Sequence, residues 1–187
     1  MAEEDAMVKV ARSIAQDLRN PLAVIRTASY LLRTSEEGKK LEILKAIDRS
    51  IVYAETLVQN LLDFSSPQAL HFVEDDANAL LRETLDQIII PDEVRLTASY
   101  GKIPRIKCDA DQLKRALMNL ILNAIQAMPK GGDLAISTGR ADGAIEIHIE
   151  DTGVGMSKKE LERVFEPFYT AKARGVGLGL INARNLI

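Results

Sequence analysis

Asp151-Thr152-Gly153-Val154-Gly155-Met156 follows directly on Ala144-Ile145-Glu146-Ile147-His148-Ile149-Glu150, and this junction decides how the second half of the chain folds. Isoleucines at 145, 147 and 149 alternate with Glu146, His148 and Glu150, the period of a strand with one buried face. The strand ends on a carboxylate and two glycines. A carboxylate there can accept from an exocyclic amine, and glycines let backbone approach a planar ring, which suits adenine. His148 sits on the polar side with the glutamates and reads as a solvent-exposed strand residue; His71 receives the same reading in its own short strand, Leu70 to Val73.

Upstream, apolar residues at 117, 120, 121 and 125 predict a helix from about Asp109 to Met128, with Asn119 and Asn123 four apart on one face. Two amides on one helical face need a polar partner. Downstream, Gly175-Val176-Gly177-Leu178-Gly179-Leu180 opens another helix, and glycine-rich loops that feed a helix N-terminus present amides to phosphate oxygens. Asparagine helix, acid-glycine turn and glycine-rich helix start, in that order, compose one nucleotide site. The remaining pattern of this half predicts a helix from Asp76 to about Ile88 and strands at Val94 to Ala98 and Asp133 to Thr138, hence an α/β sandwich of mixed sheet and helices.

The first half is different in kind. From Val8 to Leu32 apolar residues recur three and four apart, which predicts a long amphipathic helix containing Pro21. Thr34 to Gly38 interrupts it, after which Leu44, Ile47, Ile51, Ala54, Val58 and Leu61 keep heptad spacing. A short loop makes an antiparallel hairpin whose seams stay wet alone, so two copies should pair into a four-helix bundle. Ser65-Ser66-Pro67 ends the second helix and marks a boundary, giving domains over 1–67 and 68–187.

Composition narrows the class further. A chain of 187 residues with 47% hydrophobic content can build ordinary cores, and a net charge of −3 with scattered basic residues offers no field for nucleic acid. The single cysteine, Cys108, excludes an internal disulfide and reads as a small core residue. No pair of cysteines or histidines has metal-ligand spacing. No run is long and apolar enough to cross a membrane, and the acidic start Met1-Ala2-Glu3-Glu4-Asp5 is unlike a signal peptide, so a cytoplasmic location is expected; a longer, membrane-anchored parent is compatible with this.

Read together, these segments resemble the cytoplasmic core of a sensor histidine kinase. Gln16-Asp17-Leu18-Arg19-Asn20-Pro21-Leu22 resembles the H box and Asn119 to Ala127 the N box. Asp151 to Gly155 resembles the first glycine box, Phe165-Glu166-Pro167-Phe168 the F box, and Gly175 to Gly179 the second glycine box. The resemblance implies an α+β multidomain chain: a helical hairpin forming a dimeric four-helix bundle, then a GHKL-type α/β sandwich. It implies ATP and Mg²⁺ as cofactors, a homodimer, and the receiver domain of a response regulator as partner, without nucleic acid or membrane contact. Asn123 would bind the magnesium and Asn119 support the same polar face, while Asp151 would bond the adenine amine and Gly153 and Gly155 shape the base pocket. Met156 to Arg174 would form a lid, with Lys172 and Arg174 reaching phosphates and Gly175, Gly177 and Gly179 giving backbone contacts. In the hairpin Asp17 would take or orient a proton, and Asn20 would align water for dephosphorylation of the regulator.

Two departures qualify this reading. The family places a phosphate-accepting histidine where this chain has Gln16, and an amide nitrogen, its lone pair delocalised, is neither nucleophile nor stable phosphoryl carrier. Autophosphorylation should therefore be absent, while phosphatase activity toward a regulator, if it needs only Asp17 and Asn20, would survive. Glutamine keeps the length and hydrogen-bonding capacity of the slot, as a deliberate acceptor knockout would. The alternative to an acceptor-site variant of a kinase is a pseudokinase scaffold that binds nucleotide and docks a regulator. The second departure is the stop at Ile187, which on the family pattern leaves the ATP-binding sheet C-terminally incomplete and less stable.

Overall fold

The computed structural model describes residues 2–65, 70–170 and 177–186, with side chains placed for 14–62, 70–170 and 177–185. Packing divides the chain into two units, one of Met1–Pro67 with Arg163–Ile181 and one of Gln68–Glu162 with Asn182–Ile187. The grouping of Arg163–Ile181 with the hairpin has a reason visible in the first unit.

That unit is built on α1 (Ala2–Thr34) and α2 (Glu37–Ser65), joined by a break of only Ser35 and Glu36. The expected interruption was longer: Gly38 lies inside the first turn of α2, where Lys39 N–H already bonds the Glu36 carbonyl at 3.0 Å. α1 continues through the buried Pro21, which cannot donate to the Asp17 carbonyl. Ala28 and Leu57 are buried, whereas Leu44, Ile51 and Val58 remain 46%, 40% and 45% exposed. Of the heptad positions read from sequence, Ile47, Ala54 and Leu61 are half-buried, so the seam is only partly covered within the hairpin. Beside it runs an apolar groove lined by Val24, Ala28, Leu31, Ile43 and Ala46. A second small core joins Leu57 to Leu178 and Ile181, with Ile14, Leu18 and Tyr53 packed against it. This burial is why the segment ending at Ile181 groups with the hairpin.

The second unit holds two sheets. β1 (Val73–Asp75) pairs antiparallel with β3 (Ile106–Cys108), a strand the sequence reading missed, and His71 lies just before β1 and not within a strand. The larger sheet has the order β2 (Val94–Tyr100), β4 (Gly132–Ala141), β5 (Ala144–Asp151), parallel between the first two and antiparallel between the last two. β4 and β5 are joined by Asp142-Gly143, both at positive φ, the two-residue turn whose twist matches its strands. α3 (Ala77–Asp86) and α4 (Ala110–Ala127) cover one face. There Leu81, Leu117, Ile121, Leu134 and Ile136 form the core, with Ile147 and Ile149 of β5 packed against it. The opposite face carries the exposed Glu146, His148 and Glu150, as the alternation predicts. Two short helices complete the described fold, α5 (Lys158–Arg163) and α6 (Gly179–Leu186). Lys158 and Lys159 at the start of α5 are exposed.

Asp109 fixes the start of α4. Its carboxylate accepts the Gln112 amide at 3.1 Å and, across the chain, the His71 amide at 2.7 Å. These bonds, the His71 amide first, hold its pKa below the ordinary carboxylate value. Cys108 beside it is half-buried, not a core residue, and burial pushes its thiol pKa up, assisted by Asp75 and Asp109. A depressed folded pKa means that the stabilisation is present above the ordinary carboxylate value and is lost as pH falls through the folded value. Asp109→Ala should cost about 1 kcal/mol in urea unfolding at neutral pH, and this difference from the unaltered chain should shrink in acid. A difference that stays constant down to pH values below the carboxylate range would contradict the capping account.

Candidate functional site: an acid-glycine turn anchored on an asparagine helix

Asp151 is the last residue of β5 and pairs with Leu134 of the central strand. Its side chain is exposed. One carboxylate oxygen accepts the Gly153 amide at 2.9 Å, while the other carries no hydrogen bond among the described residues and is open to a donor such as an exocyclic amine. The turn that follows is stitched to its scaffold by Thr152 N–H to the Asp133 carbonyl at 3.1 Å and Val154 N–H to the Ala127 carbonyl at 3.0 Å.

Gly153 has a role that the sequence reading did not assign. A Cβ there would lie 2.5 Å from the Ala127 carbonyl oxygen and 2.7 Å from the Ala127 Cβ, so this glycine lets the turn sit on the C-terminal end of α4. Gly155, at φ 65, has open space around it and is the glycine of the pair free to border a ligand.

On α4, Asn119 is buried and Asn123 half-buried, one turn apart, on the helix whose end meets the acid-glycine turn. Amide oxygens are hard donors of the kind Mg²⁺ accepts, and that ion usually keeps waters and phosphate oxygens as its other ligands. The residues therefore fit a magnesium–nucleotide in donor chemistry. Among the described residues no group of three or more His, Cys, Asp or Glu gathers for a metal.

Lys172, Arg174 and Gly175 lie outside the described residues. The two ends of that stretch are pinned within the first unit: the Phe168 amide donates to the Gly177 carbonyl at 3.1 Å, and a Cβ on Gly177 would lie 2.4 Å from the Tyr169 carbonyl oxygen. Gly177 takes φ 71 and Phe168, unusually for an aromatic residue, φ 62. Arg163 braces this neck, its guanidinium 4.2 Å over the Tyr169 ring and its Nε 2.9 Å from Glu166. Gly179 is the first residue of α6.

In the hairpin, Gln16 is exposed, Asp17 buried and Asn20 half-buried. Gln16 and Asn20 are one turn apart and share a side of α1.

The geometry defines a nucleotide-type α/β domain joined in sequence to a helical hairpin with a polar H-box-like face. Comparison with known families agrees: residues 6–70 match the His Kinase A (phospho-acceptor) domain, and residues 108–187 match the family described as histidine kinase-, DNA gyrase B-, and HSP90-like ATPase. The chain thus carries the two domains of a sensor histidine kinase cytoplasmic core. It is 32% identical over 184 residues to sporulation kinase E of Bacillus subtilis (strain 168), covering 96% of this chain and 25% of that protein. It is 30% identical over 190 residues to the sensor histidine kinase ZraS of Escherichia coli (strain K12), covering 97% of this chain and 40% of that one. The chain thus spans a quarter to two fifths of these relatives' length. Among solved structures, the catalytic domain of histidine kinase ThkA is similar at TM-score 0.57 and 27% identity, covering 63% of this chain and 80% of that one. The ThkA complex with response regulator protein TrrA shares the fold over 100% of this chain and 56% of that one, at TM-score 0.62 and 22% identity.

Proposed function

We propose that this chain is the ATP-dependent kinase core of a two-component signalling protein whose nucleotide site is competent and whose phosphate acceptor is missing. Asn119, Asn123, Asp151, Gly153 and Gly155 would hold the magnesium–nucleotide, and the family resemblance assigns its phosphates to Lys172, Arg174, Gly175, Gly177 and Gly179. Bound magnesium would supply charge neutralisation for phosphoryl transfer, and oriented amides and positioning would supply the rest. The observation that carries this reading is the exposed Asp151 carboxylate, fixed by the Gly153 amide with one oxygen left for a donor.

Gln16 occupies the acceptor slot, and with Asp17 and Asn20 intact beside it the chain is read as an inactive autokinase that retains regulator phosphatase activity. The receiver domain of a response regulator is the proposed partner, supported by the similarity to histidine kinase ThkA in complex with response regulator protein TrrA. Pairing of two hairpins through the partly exposed α2 seam is the proposed assembly, and a cytoplasmic location is proposed with it; among the described residues no helix is long and apolar enough to cross a membrane.

The site is tested at Asn123. Asn123→Ala should weaken ATP binding about 10- to 100-fold in the presence of Mg²⁺ and much less in the presence of a chelator. Equal losses with and without the ion would remove Asn123 from the metal site.

A further inference from the structure

We infer that Thr152 is a positioning residue for nucleotide recognition, acting through Asp151; this rests on the reading of Asp151 as the acid that meets the adenine amine. The β4–β5 ladder ends at the pair Leu134 and Asp151. One residue further, Thr152 makes both halves of a clasp to Asp133: its N–H donates to the Asp133 carbonyl at 3.1 Å, and its Oγ1 accepts the Asp133 N–H at 2.9 Å. No other side chain of the acid-glycine turn from Thr152 to Gly155 bonds the scaffold among the described residues, apart from the 4.0 Å approach of the same hydroxyl to the Met128 sulfur.

The far side of the clasp is itself held. Asp133 pairs in register with Arg95 of β2, and their side chains form a hydrogen-bonded ion pair that lowers the Asp133 pKa. Space on the near side is closed, because a Cβ on Gly132 would lie 2.7 Å from the Thr152 hydroxyl oxygen. The hydroxyl therefore continues the ladder past the point where backbone pairing ends, and so sets the backbone from which the Asp151 carboxylate projects. Without it, the Asp133 amide loses its acceptor and the acid sits on a turn held by backbone bonds alone.

The consequence is selective. A defect that acts through Asp151 weakens recognition of the exocyclic amine, whereas a general loosening of the fold weakens every nucleotide alike. The probes are ATP and purine riboside triphosphate, which lacks that amine, each titrated calorimetrically with Mg²⁺ against the unaltered chain, Thr152→Val and Thr152→Ser. The unaltered chain should prefer ATP. Thr152→Val should bind ATP about fivefold more weakly, bind the analogue almost unchanged, and so narrow the preference; Thr152→Ser should restore both. Should the valine variant not fold, Thr152→Ala removes the hydroxyl without the second branch and gives the same comparison. Equal losses for both nucleotides, with the preference kept, would overturn the positioning role while leaving the Asp151 reading intact. An unaltered chain that binds both alike would overturn that reading and the inference with it.

Discussion

Gln16→His is expected to turn a chain that carries no phosphate into one that labels itself from ATP, a gain of at least about 10³-fold over background. Position 16 is exposed on α1, so an imidazole there displaces no packing, and the change in helix propensity costs only about a few tenths of a kcal/mol. The histidine would stand next to the buried Asp17 and one turn from Asn20, the polar side that the hairpin already presents. What the substitution adds is a nitrogen lone pair that is not delocalised into a carbonyl. Detection is by label that remains on the denatured protein and is lost in acid, as a phosphoimidazole is. Continued silence of a variant that still binds ATP would favour the nucleotide-binding scaffold over the kinase.

The second large effect concerns assembly. Leu44, Ile51 and Val58 are spaced by seven on α2 and are 46%, 40% and 45% exposed, so this apolar line is left partly uncovered by its own hairpin. In a two-fold dimer each substitution enters twice, close to the axis. Ile51→Glu places two carboxylates in that seam, and at about 2 kcal/mol each dimerisation should weaken about 10³-fold. Sedimentation at micromolar concentration should show the unaltered chain as a dimer and the variant as a monomer of unchanged helix content. A variant that stays dimeric would place the interface elsewhere.

Much of this was legible in the sequence because the signals were periodic. The alternation at Ile145, Ile147 and Ile149 and the three-four spacing of α4 report a buried face directly, whereas the spacing of α1 and α2 reports helices whose apolar residues their own hairpin only partly covers. Asn119 and Asn123 could be placed on α4 and Asp151 at the end of β5 because their positions follow from those elements. What was missed is short or long-range. β3 is a three-residue strand that exists only through pairing with β1, and no local periodicity can announce it. The Asp142-Gly143 turn did carry a readable signal, a two-residue Asp-Gly between alternating strands. Gly153 was read as room for a base, whereas its missing side chain makes room for Ala127, a contact between residues far apart in sequence. Likewise Leu178 and Ile181 read as the start of a helix in the nucleotide domain, and only packing on Leu57 reveals that they complete a core of the first unit.

On the proposed function, nucleotide binding and phosphate acceptance are separated in this chain. Incubating the unaltered protein with ATP labelled at the γ-phosphate and Mg²⁺, and measuring the label held before and after denaturation, tests both halves at once. The account predicts saturable label on the native protein and none on the denatured chain; label that survives denaturation, or a native protein that holds none, would contradict it.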